Sequence, residues 1–413
     1  MFTRKIFLIV FATLFIAAVT HAQKNIIVGT RDTVYANTLH ENRQIWVHAP
    51  ENNAPDGIYA QRHCPVIYVL DGDDHFKAVV AMVERLSQGG PNTMLPPVIV
   101  VGILNTDRNR DLTPTHVTAA AMMDSESVAR SGGGDKFISF LEKELIPHID
   151  SLYPTAPYRV LIGHSLGGLM TIYTLLNHTR LFNAYIAIDP SVMWDDQKLV
   201  KQAQSTLGKN NFAGRSLYLA VANNIDDGMA PAKDTTILGF IKLHTRSIME
   251  LEHALEANPK NGLRYSWKYY PEYNHGTIPL VAEYDGLRAI FSFYNYNLPF
   301  QELLQPNYKG DTAIMQHYEM VSSIMGYKVS PEEELVNVIG YNLIQSKQFD
   351  RAWYFLKMNI DNYPKSFNAY DSMGDLYEAK GDHKNAKAYY LKSLAIRETP
   401  DTRRKLERLN KAE

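Results

Sequence analysis

Tyr158-Arg159-Val160-Leu161-Ile162-Gly163-His164-Ser165-Leu166-Gly167-Gly168 reads as a short apolar strand running through G-x-S-x-G into a helix. The helix is announced by the spacing of Leu169, Ile172, Tyr173 and Leu176. A serine hydroxyl is a poor nucleophile in water, so its chemistry needs a sharp turn at the top of a sheet, within reach of a base and beside free backbone N–H groups. Gly163 and Gly167 flank the turn where a side chain would collide with a neighbouring strand or helix, and Ser165 must hold a strained backbone.

Outward from this elbow, apolar runs alternate with helical stretches as far as about Tyr296. Arg43 to Ala49 alternates as a strand, and Pro65 to Leu70, Pro97 to Ile103, Tyr158 to Ile162, Ala184 to Ile188, Ser216 to Ala222 and Leu263 to Tyr270 read as further strands. Phe137 to Ile149 has the spacing of an amphipathic helix. Continuous Val/Ile/Leu runs imply burial on both faces, hence a mostly parallel sheet flanked by helices: an α/β class with ligands beyond the carboxyl ends of the strands.

The chain has 413 residues, 45% of them hydrophobic and 21% charged, enough for one large core and a second domain. A formal charge of −2 without a basic stripe argues against nucleic acid as a partner. Arg4 and Lys5 precede an apolar run from Ile6 to Val19 that ends in Thr20-His21-Ala22, the pattern of a cleavable secretory signal over residues 1–22. Cleavage after Ala22 leaves Gln23 first, and the reading implies a secreted or periplasmic protein with no membrane span after cleavage. Cys64, the only cysteine, cannot form an internal disulfide and reads as a small core residue.

From about Glu333 the apolar spacing is helical throughout. Gly340, Ala352 and Leu356 recur 34 residues later as Gly374, Ala386 and Tyr390, the tetratricopeptide period. Two such repeats are too few to bury a continuous core alone, so this tail should lean on the rest of the chain or on a protein partner. The expected organisation is a sheet domain over 23–300, a linker over 301–330 and a helical repeat region over 331–413.

A serine elbow calls for an acid and a base downstream. His275, in Tyr270-Pro271-Glu272-Tyr273-Asn274-His275-Gly276, lies on a loop after the last strong strand, where a base reaches back to Ser165. The acid has several candidates. Asp226, after the strand ending at Ala222, has the usual topological place; Asp227, Asp189 and Glu272 are the alternatives. Two N–H donors should face the developing oxyanion: Leu166, and the loop Asp71-Gly72-Asp73-Asp74-His75, where Asp73 is the candidate donor and Gly72 allows close approach. That acidic loop lacks the glycine and terminal glutamate of a calcium loop, so no metal and no cofactor is expected. Arg110 and Asp111 either line a substrate pocket or pair to hold their loop, and Trp194 is either an aromatic wall of the pocket or a packing residue.

Taken together, Val69-Leu70-Asp71-Gly72, Asn105-Thr106-Asp107-Arg108-Asn109-Arg110-Asp111-Leu112-Thr113-Pro114, Gly163-His164-Ser165-Leu166-Gly167-Gly168, Asp189-Pro190-Ser191 with Trp194, and Tyr270-Pro271-Glu272 with His275-Gly276 resemble the α/β-hydrolase family called Putative esterase. That family is related to esterase D and includes siderophore esterases, feruloyl esterases and mycolyltransferases; some members similarly carry tetratricopeptide repeats. The resemblance spans about Asn25 to Asn297. It implies an α/β-hydrolase fold and a metal-independent serine esterase acting on a small-molecule ester through Ser165, His275 and an acid. An acyltransferase would use the same residues, and a third reading makes the hydrolase domain a silent scaffold for a partner of the repeats.

Overall fold

The computed structural model describes residues 26–50, 63–88, 93–120, 123–224 and 235–411. The signal-like segment 1–22, Asp226 and Asp227 lie outside the described residues.

Eight strands form one sheet: β1 Thr30–Ala36, β2 Glu41–His48, β3 Cys64–Val69, β4 Ile99–Ile103, β5 Thr155–His164, β6 Ala184–Ile188, β7 Ser216–Ala222 and β8 Arg264–Tyr270. Their spatial order is β1-β2-β4-β3-β5-β6-β7-β8. β1 and β2 pair antiparallel, as do β2 and β4, and the other pairings are parallel. This is the α/β-hydrolase fold, with β1 as a strand that the apolar pattern did not announce. The reason is local: β1 is an edge strand with only Val34 and Ala36 fully buried, so no apolar run marks it.

Alternation along the central strands divides the core into two layers. Val66, Tyr68, Leu161, Leu217 and Leu219 face helices Gly134–Phe140, Leu166–Asn177, Trp194–Thr206 and Thr235–Glu256. Ile67, Val69, Val160, Ile162, Tyr218 and Ala220 face helices Gly72–Ser87 and Pro279–Ile290. Cys64 is buried at the start of β3. The expected helix Phe137 to Ile149 is present but widens to a π-turn over Leu141–Leu145, where Ile146 N–H reaches back five residues to Leu141 O. Pro147, which has no N–H to give, follows immediately, so the widened turn relieves the clash its ring would cause.

The tail is a stack of antiparallel helices: Glu333–Gln345, Phe349–Asn362, Phe367–Ala379, His383–Ile396 and Pro400–Lys411. Glycine fits where the helices of a pair touch. A Cβ on Gly340 would lie 2.6 Å from Leu356 Cδ2, and one on Gly374 would lie 2.4 Å from Tyr390 Cε1. The segment expected to be a linker, 301–330, instead holds helix Ala313–Met325. Ile314 and Tyr318 join the core of the repeats, whereas Val321 and Met325 join the layer beneath the sheet. Among the described residues no helix is long and apolar enough to cross a membrane.

Candidate active site

Ser165 sits between the end of β5 and helix Leu166–Asn177 with φ 59° and ψ −117°, a backbone conformation that few non-glycine residues adopt. The surround holds it there. Ser165 N–H donates to Ile188 O at 3.0 Å, and Ser191 N–H donates to Ser165 O at 3.0 Å. A Cβ on Gly163 would lie 2.2 Å from Gly167 O, so only glycine allows the strand and the helix to close on one another.

The hydroxyl meets a base and the base meets an acid. His275 Nε2 is 3.1 Å from Ser165 Oγ, and His275 Nδ1 donates to Asp189 Oδ2 at 2.6 Å. Asp189 leaves β6 with φ 39° and is fully buried. Its Oδ1 accepts Ala222 N–H at 3.0 Å, and its Oδ2 also accepts His244 Nε2 at 2.9 Å and Asn224 Nδ2 at 3.0 Å. Burial alone would raise this carboxyl, but hydrogen bonds donated by His244 and His275 outweigh it and hold Asp189 well below the usual carboxylate range. It is therefore ionised at neutral pH. Asp226, favoured from sequence, lies with Asp227 outside the described residues, and Glu272 is exposed. The β7 end, where the acid was sought, gives Asp189 the amide of Asn224 instead.

His275 is carried by a turn after β8. Asn274 Oδ1 accepts Gly276 N–H and Thr277 N–H, each at 3.1 Å, an Asx turn that leads into helix Pro279–Ile290. His164 fixes the same turn from below, its Nε2–H donating to His275 O at 2.9 Å. Burial, then the neighbouring His275 and His75, push His164 down to about 3, so it is a neutral donor at physiological pH. His75 stands edge-on to His164 at 5.9 Å and pairs through Nδ1 with buried Glu283 at 2.6 Å.

Two helix N-termini converge beside Ser165. Leu166 opens one, and Gly72 and Asp73 open the other, helix Gly72–Ser87; a Cβ on Gly167 would lie 3.2 Å from Asp71 Oδ2, which measures how closely they approach. First-turn N–H groups have no carbonyl four residues back, so this end of the molecule favours negative charge. Gly72 is required by packing, since a Cβ there would lie 2.6 Å from Gly102 C of β4. Asp71 adopts φ 51° and is clamped by Arg108, with Nε to Oδ1 at 2.7 Å and Nη2 to Oδ2 at 2.9 Å, while Asn105 Nδ2 donates to Oδ1 at 2.7 Å. Burial would raise Asp71, but Arg108 beside it keeps the carboxyl below its ordinary value.

Of the sequence-derived pocket residues, Arg110 and Asp111 hold their loop. Asp111 is buried between Arg43, at 2.5 Å, and Arg110, at 2.7 Å, and Arg110 also reaches Glu41. Trp194 is 8% exposed and its Nε1 donates to Thr115 O at 3.0 Å, tying two rim loops together rather than offering a ring to a ligand. Arg108, Ser191 and His164 lay within motifs already singled out but had been given no role. Ser191 Oγ is 3.3 Å from Ser165 Oγ. His244 had no local signal beyond its place on the apolar stripe of Phe240, Ile248 and Leu251.

The arrangement can activate a hydroxyl, offset the charge that then develops on the base, and receive an oxyanion. The chain resembles known proteins in sequence and in fold. Over 190 residues the chain is 31% identical to ferri-bacillibactin esterase BesA of Bacillus subtilis, a match covering 42% of this chain and 64% of that protein. The chain spans less than two thirds of the length of the curated relatives it matches first. An IroE-like serine hydrolase from Shewanella oneidensis superposes with a TM-score of 0.64 and 28% identity over 80% of this chain and 98% of that one. An uncharacterised protein from Capnocytophaga ochracea shares the fold, with a TM-score of 0.61 and 19% identity over 92% of this chain and 99% of that one. Residues 36–227 match the model of the family described as Putative esterase, and residues 367–400 match that of the tetratricopeptide repeat.

Proposed function

We propose that this protein is an exported carboxylic-ester hydrolase working through an acyl-enzyme on Ser165. The observation that carries the reading is the unbroken line Ser165 Oγ, His275 Nε2 at 3.1 Å, His275 Nδ1 and Asp189 Oδ2 at 2.6 Å. Ser165 Oγ attacks the acyl carbon while its proton passes to His275 Nε2. Leu166 N–H and a first-turn N–H of Gly72 or Asp73 receive the oxyanion. The C–O bond to the leaving alcohol breaks as the alcohol takes the proton from His275, and Asp189 offsets the imidazolium in between. Water then attacks the acyl-enzyme, gives a proton to the same imidazole and releases the acid, and the proton returns to Ser165.

The relatives' names point to siderophore esters as the substrate class, iron chelators whose backbones are joined by ester bonds. The test compares hydrolysis of p-nitrophenyl esters and of a catecholate siderophore ester by the wild type and by Ser165→Ala. Turnover that Ser165→Ala reduces by at least a thousandfold supports the reading, and turnover indifferent to that substitution overturns it. Preference for the siderophore ester fixes the substrate class. Export is read separately: cell fractionation should recover the protein outside the cytoplasm with Gln23 at its amino terminus. The repeats make a protein partner part of the same proposal, measured by whether purified full chain co-migrates with an envelope protein in its native host.

A further inference from the structure

Asp189 Oδ2 receives His275 Nδ1 at 2.6 Å, His244 Nε2 at 2.9 Å and Asn224 Nδ2 at 3.0 Å. A carboxylate oxygen has two lone pairs, so three donors, two of them imidazoles, share fewer places than they would fill. His244 is built into that position. It is 5% exposed, its ring stands at 88° to that of His275 with centroids 5.2 Å apart, and Phe240 stacks on it at 6.5 Å. Among the described residues, its other nitrogen meets the thioether of Met193, at 3.3 Å. The helix bearing it, Thr235–Glu256, is pinned to the loop after Asp189: Gln197 Nε2 donates to Ser247 Oγ at 2.8 Å and to Glu250 Oε2 at 2.6 Å. Gln197 closes a left-handed turn whose φ values are 52°, 52° and 58° for Asp195, Asp196 and Gln197, a costly backbone for three non-glycine residues. A strained turn on one side and a ring stack on the other hold a second imidazole against the triad acid.

We propose that His244 is a positioning residue that sets both the direction of Asp189 and the basicity of His275, by occupying part of the oxygen that His275 uses. The proposal rests on the hydrolase reading above. Its sign does not depend on whether His244 is neutral or charged: a donor hydrogen bond and a positive charge both draw electron density from Asp189 and weaken its hold on an imidazolium at His275. Removing His244 therefore makes His275 give up its proton only at higher pH and leaves the carboxylate less well aimed. Among the described residues, the charged and titratable groups facing this pair are Asp189 between the two rings, His164 against His275, and His75 and Glu283 behind His164.

The test is the rate at which a fluorophosphonate probe captures Ser165 across a pH series, in the full chain, for wild type, His244→Phe and His244→Gln, with Ser165→Ala as blank. Phenylalanine keeps the ring without a donor, and glutamine keeps a donor near the position of Nε2. His244→Phe should slow capture about tenfold, the loss of one hydrogen bond to a charged group, and move the acidic limb to higher pH; His244→Gln should restore both. A His244→Phe variant with wild-type rate and limb, or a His244→Gln variant matching His244→Phe, overturns the proposal. If wild type is not captured, the hydrolase reading fails, and the His275 Nδ1 proton resonance still decides about His244. It should move downfield in His244→Phe and stay in place in His244→Gln, and an unmoved resonance in both overturns the proposal.

Discussion

Arg108 grips Asp71 through two parallel hydrogen bonds, at 2.7 Å and 2.9 Å, and so fixes the one left-handed residue between β3 and helix Gly72–Ser87, which begins against the serine elbow at Gly167. Planar, two-pronged contact of this kind belongs to arginine. Arg108→Ala leaves the buried carboxylate without its cation. Removal of one partner from a fully buried pair costs 3–5 kcal/mol, and because Arg108 is 35% exposed the loss here should be roughly 1–3 kcal/mol. Urea unfolding should show this loss, and ester turnover should fall with it. Arg108→Lys should recover stability more than turnover, since an ammonium supplies charge without the fork.

The same pair gives stability a defined pH dependence. Asp71 is held below its ordinary value in the folded chain, so it stabilises the fold above the unfolded carboxylate value of about 3.9 and loses that contribution as pH falls further. Wild type should exceed Asp71→Asn in urea midpoint by a constant margin between about pH 5 and 7. The margin should shrink below about pH 4. A margin that grows on acidification contradicts the assigned charge state.

Asp189→Asn keeps the volume of the acid and removes its charge. The tautomer of His275 is then no longer fixed, and turnover should drop by roughly ten thousandfold with the fold intact. Asp226→Asn and Glu272→Gln should leave turnover within about twofold of wild type, since Asp189 already fills the place of the acid beside His275. Steady-state kinetics on one chromogenic ester settles all three.

In the tail, Gly374→Ala puts a methyl group 2.4 Å from the Tyr390 ring. That ring is fully buried, and its hydroxyl bonds Asp375 at 2.7 Å and Glu378 at 2.8 Å, so it has nowhere to go. Overpacking should cost about 1–3 kcal/mol. Hydrogen exchange should accelerate in Phe367–Ala379 and His383–Ile396 while the sheet is unaffected.

The sheet was legible because burial on both faces writes itself as continuous apolar runs: Val66 to Val69 and Leu217 to Ala222 could be little else. Ser165 was legible because its geometry demands glycines at fixed offsets, and His275 because it follows the last such run. The acid was not, since a carboxylate needs only to reach an imidazole, and Asp189, Asp226 and Glu272 all follow strands or neighbour the base. What singles out Asp189 is convergence of Ala222, Asn224, His244 and His275, residues up to 86 positions away, which no local pattern encodes. Arg110 and Arg108 illustrate the same limit. Two residues apart on one short helix, one holds the scaffold through Glu41 and Asp111 and the other holds the loop after β3 through Asp71.

Helix Ala313–Met325 turns Ile314 and Tyr318 toward the repeats and Val321 and Met325 toward the sheet. The chain therefore has no seam at the end of the sheet where it can be divided cleanly. A fragment ending near residue 300 strips two apolar plugs from beneath the hydrolase core, whereas one ending after Gly326 keeps them. Helix Ala313–Met325 thus ties the repeats to the layer that contains helix Pro279–Ile290, and that helix begins four residues after His275. The repeats and the loop that presents His275 are thereby anchored, through that helix, in one apolar layer.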